Sequence, residues 1–446
     1  MTLLREVPPR DSASPPRGWL PLTPSLPRIS SHFMASQLPR SAAAAIPLKL
    51  PACEIGAVPL TIEDVMRVAR GESSVCLEGG AAWREKLESA ADFVQESHRA
   101  GTDIYGVTTG VGASVSNQIP TALRDDMARN LLRFHGVGTG RILSEVEAAA
   151  VLVTRLASLA QGYSGVRPLV LERIALLLNE RLLPEIPAEG SVGASGDLTP
   201  LSYLAAVLVG EREVTLRGER MTAAVAHGRL GLTPIELRPK ESLAIMNGTS
   251  AMTGLACLAF ESARALASLA SSVTALASIA VHGNPQHFDE RIFALKAHPG
   301  SQACAASIRE HLAIEGDVKV ARLQDRYSIR CAPHVIGVLL DALTFGRDML
   351  EIEINSVNDN PIVDASAGDF LHGGNFYGGH VCFVMDGLKG AIASVADLLD
   401  RQLVLLCCPD TSDGLPENLV GADREDALAH HGFKAMQITA SALTAE

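Results

Sequence analysis

Residues 189–205 read EGSVGASGDLTPLSYLA, a Gly- and Ser-rich break between two apolar runs, and how this stretch is read governs the rest of the chain. Its centre is Gly190-Ser191-Val192-Gly193-Ala194-Ser195-Gly196-Asp197. The plain reading is a flexible connection between helices. A serine-hydrolase elbow needs GxSxG, but Asp197 stands where the last glycine should be, so that pattern fails. A third reading suits the residue types. In a sharply bent backbone the Gly196 amide nitrogen can attack the Ala194 carbonyl carbon, because glycine has no Cβ to block the approach and tolerates the strain. Loss of one water closes a five-membered imidazolone. Loss of a second from the Ser195 side chain leaves an exocyclic methylidene, a carbon electrophile that ordinary side chains do not provide.

Outward from this stretch the chain reads as helix. Ser144 with Glu147 forms a capping box opening a helix to about Gln161. Gly162 to Gly165 breaks it, and Pro168 starts another that is expected to end near Pro184. Helices are also expected over 61–69 and 82–100, with a Gly-rich turn YGVTTGVGASV (105–115) after them. EVTLRGERM (213–221) has strand character. The second half predicts long helices: one from Glu241 past Ala280, one from Pro333 to about Ile354, one from His380 to Leu406. The fold class is therefore mainly α, a long-helix central bundle with an irregular Gly-rich active-site layer and little β. Ala265–Val281 is the nearest approach to a membrane span, but it is short and reads as a buried bundle helix.

Residues 1–51 differ in kind. Ten of the chain's 24 prolines fall there without helical period, which marks a disordered extension; Met34 offers a second start. A single catalytic domain is expected from 52 to 446. Of the 446 residues, 47% are hydrophobic, enough for a large core, and the net charge of −12 argues against a nucleic-acid or anionic-membrane surface. Eight cysteines without a CxxC pair read as free thiols, so a cytoplasmic protein is expected. His372 and His380 have no evident partner set, and no metal is expected.

The Gly190–Asp197 stretch closely resembles the signature of the methylidene-imidazolone family of aromatic amino-acid ammonia-lyases and aminomutases. YGVTTGVG (105–112), MNGTSA (246–251), QDRYSIRCAPHVIG (324–337), INSVNDNP (354–361), GGNFYGG (373–379) and GLPENL (414–419) match it in the same order. The resemblance implies a prosthetic group formed from Ala194, Ser195 and Gly196, with Tyr105 as the base that takes the β-proton of the amino acid. It implies that Arg330 forks onto the substrate carboxylate, with Arg326 the weaker candidate. Gln324, Tyr327 and Asn247 would surround the prosthetic group, and Asn375 and Phe376 would close the pocket from a further subunit. A homotetramer with shared active sites is implied as well.

Phe134-His135 occupies the family's side-chain-selecting position. Phe134 suits a flat apolar ring, and His135 can hydrogen-bond a phenol or an imidazole. The resemblance ranks tyrosine first, phenylalanine second and histidine third, with an aminomutase or an inactive remnant as alternatives. Two departures stand out. Val111 occupies a position where the family usually has Phe, and the chain stops at QITASALTAE, before a segment bearing an active-site Glu or Gln in relatives, so a C-terminal truncation is expected.

Overall fold

A computed structural model describes residues 50–312, 320–421 and 425–446. The expected Pro-rich extension lies outside them, apart from its last two residues. From Leu50 on, the chain clusters into one unit.

Local signals set the first helices. Thr61 caps Ile62–Ala69 through a reciprocal box with Asp64, and Ser144 caps Glu145–Ala160 through the expected box with Glu147. Such a cap contributes about 1 kcal/mol. Pro168 occupies the first turn of Pro168–Asn179. That helix stops short of its expected end: Arg181 adopts φ 53°, and Leu182–Pro184 leaves as a strand that pairs antiparallel with Glu213–Leu216. Glu213–Leu216 turns through Arg217 and Gly218, both at positive φ, into Glu219–Thr222, which realises the strand character of this stretch. Small two- and three-stranded sheets of this kind are the only sheets among the described residues.

The bulk of the molecule is a bundle. Ser250–Ala280 packs against Glu145–Ala160, Pro299–Leu312, Ala332–Ile354 and Gly379–Cys407. Glu145–Ala160 is buried on every side from Ala148 onward, the signature of a helix enclosed by neighbours. Gly254 lets two of these helices cross closely, since a Cβ there would lie 2.8 Å from the Ala150 carbonyl oxygen. Thr154 locks the same crossing by donating to the Ser250 carbonyl at 2.8 Å. The runs Glu241–Ala280 and Tyr327–Ile354 are long and apolar enough to cross a bilayer by length and composition alone; 78% of the most apolar window of the first is buried inside the bundle.

One expectation needs correction here. Glu241 to Ala280 is not a single helix. It divides into Glu241–Met246 and Ser250–Ala280, broken at Asn247-Gly248-Thr249. Gly248 has φ 158°, and its amide region is turned toward the Gly190–Asp197 stretch.

Candidate active site

The loop is delivered by a strand and received by a helix. Pro187–Glu189 pairs with Thr139–Ile142, and Leu198–Leu208 begins directly after Asp197. Between them Gly193 and Gly196 adopt φ 67° and 78°. A Cβ on Gly196 would lie 2.8 Å from the Gly248 nitrogen, so this position requires glycine for space as well as for conformation. The turn at 247–249 grips the loop twice. Asn247 Nδ2 donates to the Ser195 carbonyl at 2.8 Å, and the Asp197 amide donates to the Gly248 carbonyl at 2.6 Å. The Asp197 carboxylate is buried and accepts from Ser191 Oγ at 2.6 Å and from the Met252 amide at 2.8 Å. Burial pushes its carboxyl above the usual range, against the pull of those donors and of Arg155. Gly196 is thus buried and held from below, while Ala194 and Ser195 remain exposed. A bent, clamped backbone with a free serine side chain is what the cyclisation requires.

Several expected site residues lie in the segments around this loop. Asn247 touches it directly. The turn carrying Tyr105 packs on the helix leading into Asn247, so closely that a Cβ on Gly106 would lie 2.6 Å from Leu243 Cδ2. The Tyr105 hydroxyl accepts from the Gly112 amide at 2.8 Å. Phe134 and His135 end the helix Arg124–His135, four residues before the strand that pairs with the loop's own strand. Their ring centroids lie 4.6 Å apart with the planes tilted by 39°, and His135 Nδ1 meets the Leu131 carbonyl at 2.9 Å. That contact requires a proton on Nδ1, which leaves Nε2 as an acceptor. Asn375 Nδ2 donates to the Val357 carbonyl, Phe376 is half-buried, and Gly378 nearby donates to the Gly193 carbonyl at 3.0 Å. Beside the loop runs a largely apolar cavity of about 580 Å³ lined in part by Val192, Met252, Leu255, Tyr377 and Met385.

Gln324, Tyr327 and Arg330 lie elsewhere. Ser328, between them, is tied by its carbonyl to Gln402 Nε2, which also donates to Thr274. Asp325, in the same segment, accepts from the Asn284 amide just beyond the end of Ser250–Ala280. Met252 touches the loop at the other end of that helix. Twenty-two residues of helix separate Met252 from Thr274, roughly 33 Å at 1.5 Å per residue. Within one chain this group does not meet the loop. Arg330 Nε donates to the Asp325 carbonyl and the guanidinium lies 4.6 Å over the Tyr327 ring. Among the described residues no carboxylate pairs with it. Arg326 is spent on the Thr411 and Asp410 carbonyls, which is a structural use.

Behind the 247–249 turn lies a buried polar cluster that single-sequence reasoning missed. Arg155 donates to Asn358, and Lys240 pairs with Asp359 at 2.6 Å with both side chains fully buried. Asn358 and Asp359 belong to the quoted INSVNDNP, but their partners lie 203 and 119 positions away. No local spacing signals such pairs. Asp197 was more accessible, since an acidic residue directly before an apolar helical run is a recognisable helix start.

A long-helix bundle carrying a clamped Ala-Ser-Gly loop defines the class: a helical lyase whose site is built on an irregular Gly-rich layer. The family model described as aromatic amino acid lyase matches residues 60–446, and the chain belongs to that family and is an ammonia-lyase. It is 38% identical over 391 residues to a histidine ammonia-lyase of Gloeobacter violaceus, covering 87% of this chain and 75% of that protein. A histidine ammonia-lyase of Sorangium cellulosum is 37% identical over 398 residues, covering 87% and 77%. Among solved structures, the tyrosine aminomutase from Streptomyces globisporus superposes with a TM-score of 0.81 at 35% identity, covering 89% of this chain and 78% of that one.

Proposed function

We propose that the chain removes ammonia from L-histidine to give urocanate, using a methylidene-imidazolone formed from Ala194, Ser195 and Gly196. The observation that carries this is the grip of Asn247 and Gly248 on a loop whose Gly196 has no room for a side chain. Histidine replaces tyrosine at the head of the substrate ranking because the relatives at 37–38% identity are named histidine ammonia-lyases. His135 suits that substrate: its free Nε2 accepts the N–H of a second imidazole, while Phe134 offers a flat face.

When present, the methylidene supplies an electrophilic carbon for the substrate amine. The chain's own residues do the rest. Asn247 holds the Ser195 carbonyl and so fixes the ring. Tyr105 takes the β-proton. Arg330 receives the carboxylate in bidentate fashion, with Tyr327 stacked beneath it and Gln324 alongside. Asn375 and Phe376, on the segment joined to Gly193, line the entrance.

Because the Arg330 segment is anchored beside Thr274 and the loop beside Met252, roughly 33 Å apart along one helix, the working site joins the loop of one chain to the clamp of another. Val338, Phe345 and Ile352 support self-association. They are exposed at intervals of seven residues on Ala332–Ile354, with Phe383 against Phe345. A repeated apolar stripe on a helix is normally covered. A homotetramer in the cytoplasm, with one catalytic domain over 52–446, is the assembly this reading takes. The likeness to the tyrosine aminomutase favours a second reading, migration of the amine to the β-carbon.

The test is direct. Purified protein should be lighter by two waters than its sequence and absorb in the near ultraviolet, and Ser195→Ala should abolish both signals. Incubated separately with histidine, tyrosine and phenylalanine, it should yield urocanate fastest. Dominant coumarate, cinnamate or a β-amino acid overturns the assignment.

A further inference from the structure

Arg155 sits in the fully buried stretch Ala148–Ala160 of its helix, the one charged residue there, and is 0% exposed. A buried charge is costly unless it is well bonded, yet among the described residues no carboxylate hydrogen-bonds to it, and its Nε has no partner. Its two Nη groups are aimed at one place. Nη2 donates to the Ala244 carbonyl, three residues before Asn247. Nη1 donates to Asn358 Oδ1 at 2.8 Å and reaches Ser250 Oγ, just after the turn, at 3.5 Å. Between these two holds lies Gly248, where a Cβ would come within 2.0 Å of Nη1. The guanidinium therefore fills the space behind the 247–249 turn and fastens both of its ends.

The front of the same turn holds the loop, through Asn247 to the Ser195 carbonyl and Gly248 to the Asp197 amide. From this two-sided arrangement we infer that Arg155 is a positioning residue for ring closure: its fork sets the 247–249 turn so that the turn bends Ala194-Ser195-Gly196 into the reactive shape. The inference rests on the proposal that this loop cyclises. In the closure the Gly196 nitrogen bonds to the Ala194 carbonyl carbon and its proton moves to the carbonyl oxygen. That oxygen leaves as water with the Ser195 amide proton. The Ser195 hydroxyl leaves as a second water with the Cα hydrogen. No outside reactant is needed, so geometry is what the protein must provide. Arg155 touches none of the reacting atoms. Burial lowers its pKa only to about 10, so it remains cationic at neutral pH and keeps both donors, and Asp197 beside the loop is one of the two charges that sustain it.

The experiment follows the loss of two waters by intact mass, together with near-ultraviolet absorbance, as newly synthesised full-length chain folds in cell-free translation. Arg155→Lys keeps the charge but cannot span both ends of the turn. Losing one charge-assisted hydrogen bond should slow the appearance of the mass deficit roughly 10- to 100-fold. Arg155→Met, read on the fraction with wild-type far-ultraviolet circular dichroism, should show no deficit. Where Arg155→Met does not fold, Arg155→Lys decides. Leu343→Ala, a core truncation in Ala332–Ile354, should lower Tm and keep the deficit, which separates positioning from general destabilisation. Folded Arg155→Lys that cyclises at the wild-type rate overturns the role of Arg155. A wild-type chain at full mass overturns the cyclisation itself, a different failure that is read on a different protein.

Discussion

Asn247 Nδ2 donates to the Ser195 carbonyl oxygen across 2.8 Å, from a residue that splits what would otherwise be one helix of 40 residues. Asn247 is buried, so removing its amide leaves a peptide oxygen short of a donor, at a cost of about 1–3 kcal/mol. Asn247→Ala is expected to lower kcat by at least about tenfold. Asn247→Asp should be worse, because it turns an acceptor toward an acceptor while keeping the size. Steady-state kinetics on both variants check the order. An Asp variant more active than the Ala variant would mean that the contact is only space-filling.

Substrate choice should follow His135. With Nδ1 engaged by the Leu131 carbonyl, Nε2 is the atom left for a ligand. Replacing it with leucine removes a polar partner for imidazole but not for an unsubstituted phenyl ring. His135→Leu should cut kcat/KM for histidine by roughly 10²-fold or more and leave phenylalanine turnover level or raised. Equal losses on both substrates would show that His135 serves the fold and not recognition.

Glu63 and Arg347 pin the first helix to Ala332–Ile354, and they give a pH dependence with a definite sign. Arg347 holds the Glu63 carboxyl down to about 2 from its ordinary 4.5, and Glu351 shares the same guanidinium at 2.9 Å. A carboxyl depressed in the folded state stabilises fully above its unfolded value and loses that contribution as pH falls through its folded value. Both side chains are about a third or more exposed, so solvent screening limits the pair to ~1 kcal/mol or less. Glu63→Gln should therefore lower Tm at pH 7 by about 1–2 °C. The gap should narrow as pH falls below 4.5 toward 2. Thermal melts from pH 7 to 3 read it, and a gap that widens on acidification contradicts the pairing.

Much of this was legible in the amino-acid order because it depends on neighbours in the chain. The box at Ser144 and the proline at 168 are local, and each opens a helix in the structure. The break at 247–249 was not legible, since Asn-Gly inside a strong apolar run is tolerated by a helix at modest cost. What enforces the break is Arg155 behind it and the loop in front, at sequence separations of 95 and 52 between Arg155 and Ser250 and between Asn247 and Ser195. Likewise, the sequence announced a long helix from Glu241 past Ala280, but not that Asp197 would touch one end of its Ser250–Ala280 part and the segment before the Tyr327–Arg330 turn the other. Pro184 misled for a related reason: the helix before it ended at Asn179 because Leu182–Pro184 found a strand partner at 213–216.

That separation yields the sharpest prediction about assembly. Ser195→Ala destroys the loop and leaves Arg330 intact. Arg330→Met destroys the clamp and leaves the loop intact, and each variant alone should be inactive or nearly so. If a site takes its loop and its clamp from different chains, mixing the two variants creates sites in which both are intact. Random assembly of equal amounts gives one half for each requirement, so about a quarter of wild-type activity should return. If both groups served the same site from one chain, every chain in the mixture would carry one defect and nothing would return. Coexpression from two plasmids, with activity normalised to assembled protein, distinguishes the outcomes. The roughly 33 Å of helix between Met252 and Thr274 is the reason to expect recovery. No side chain spans that distance, and closing it within a chain would require the helix that forms the centre of the bundle to break.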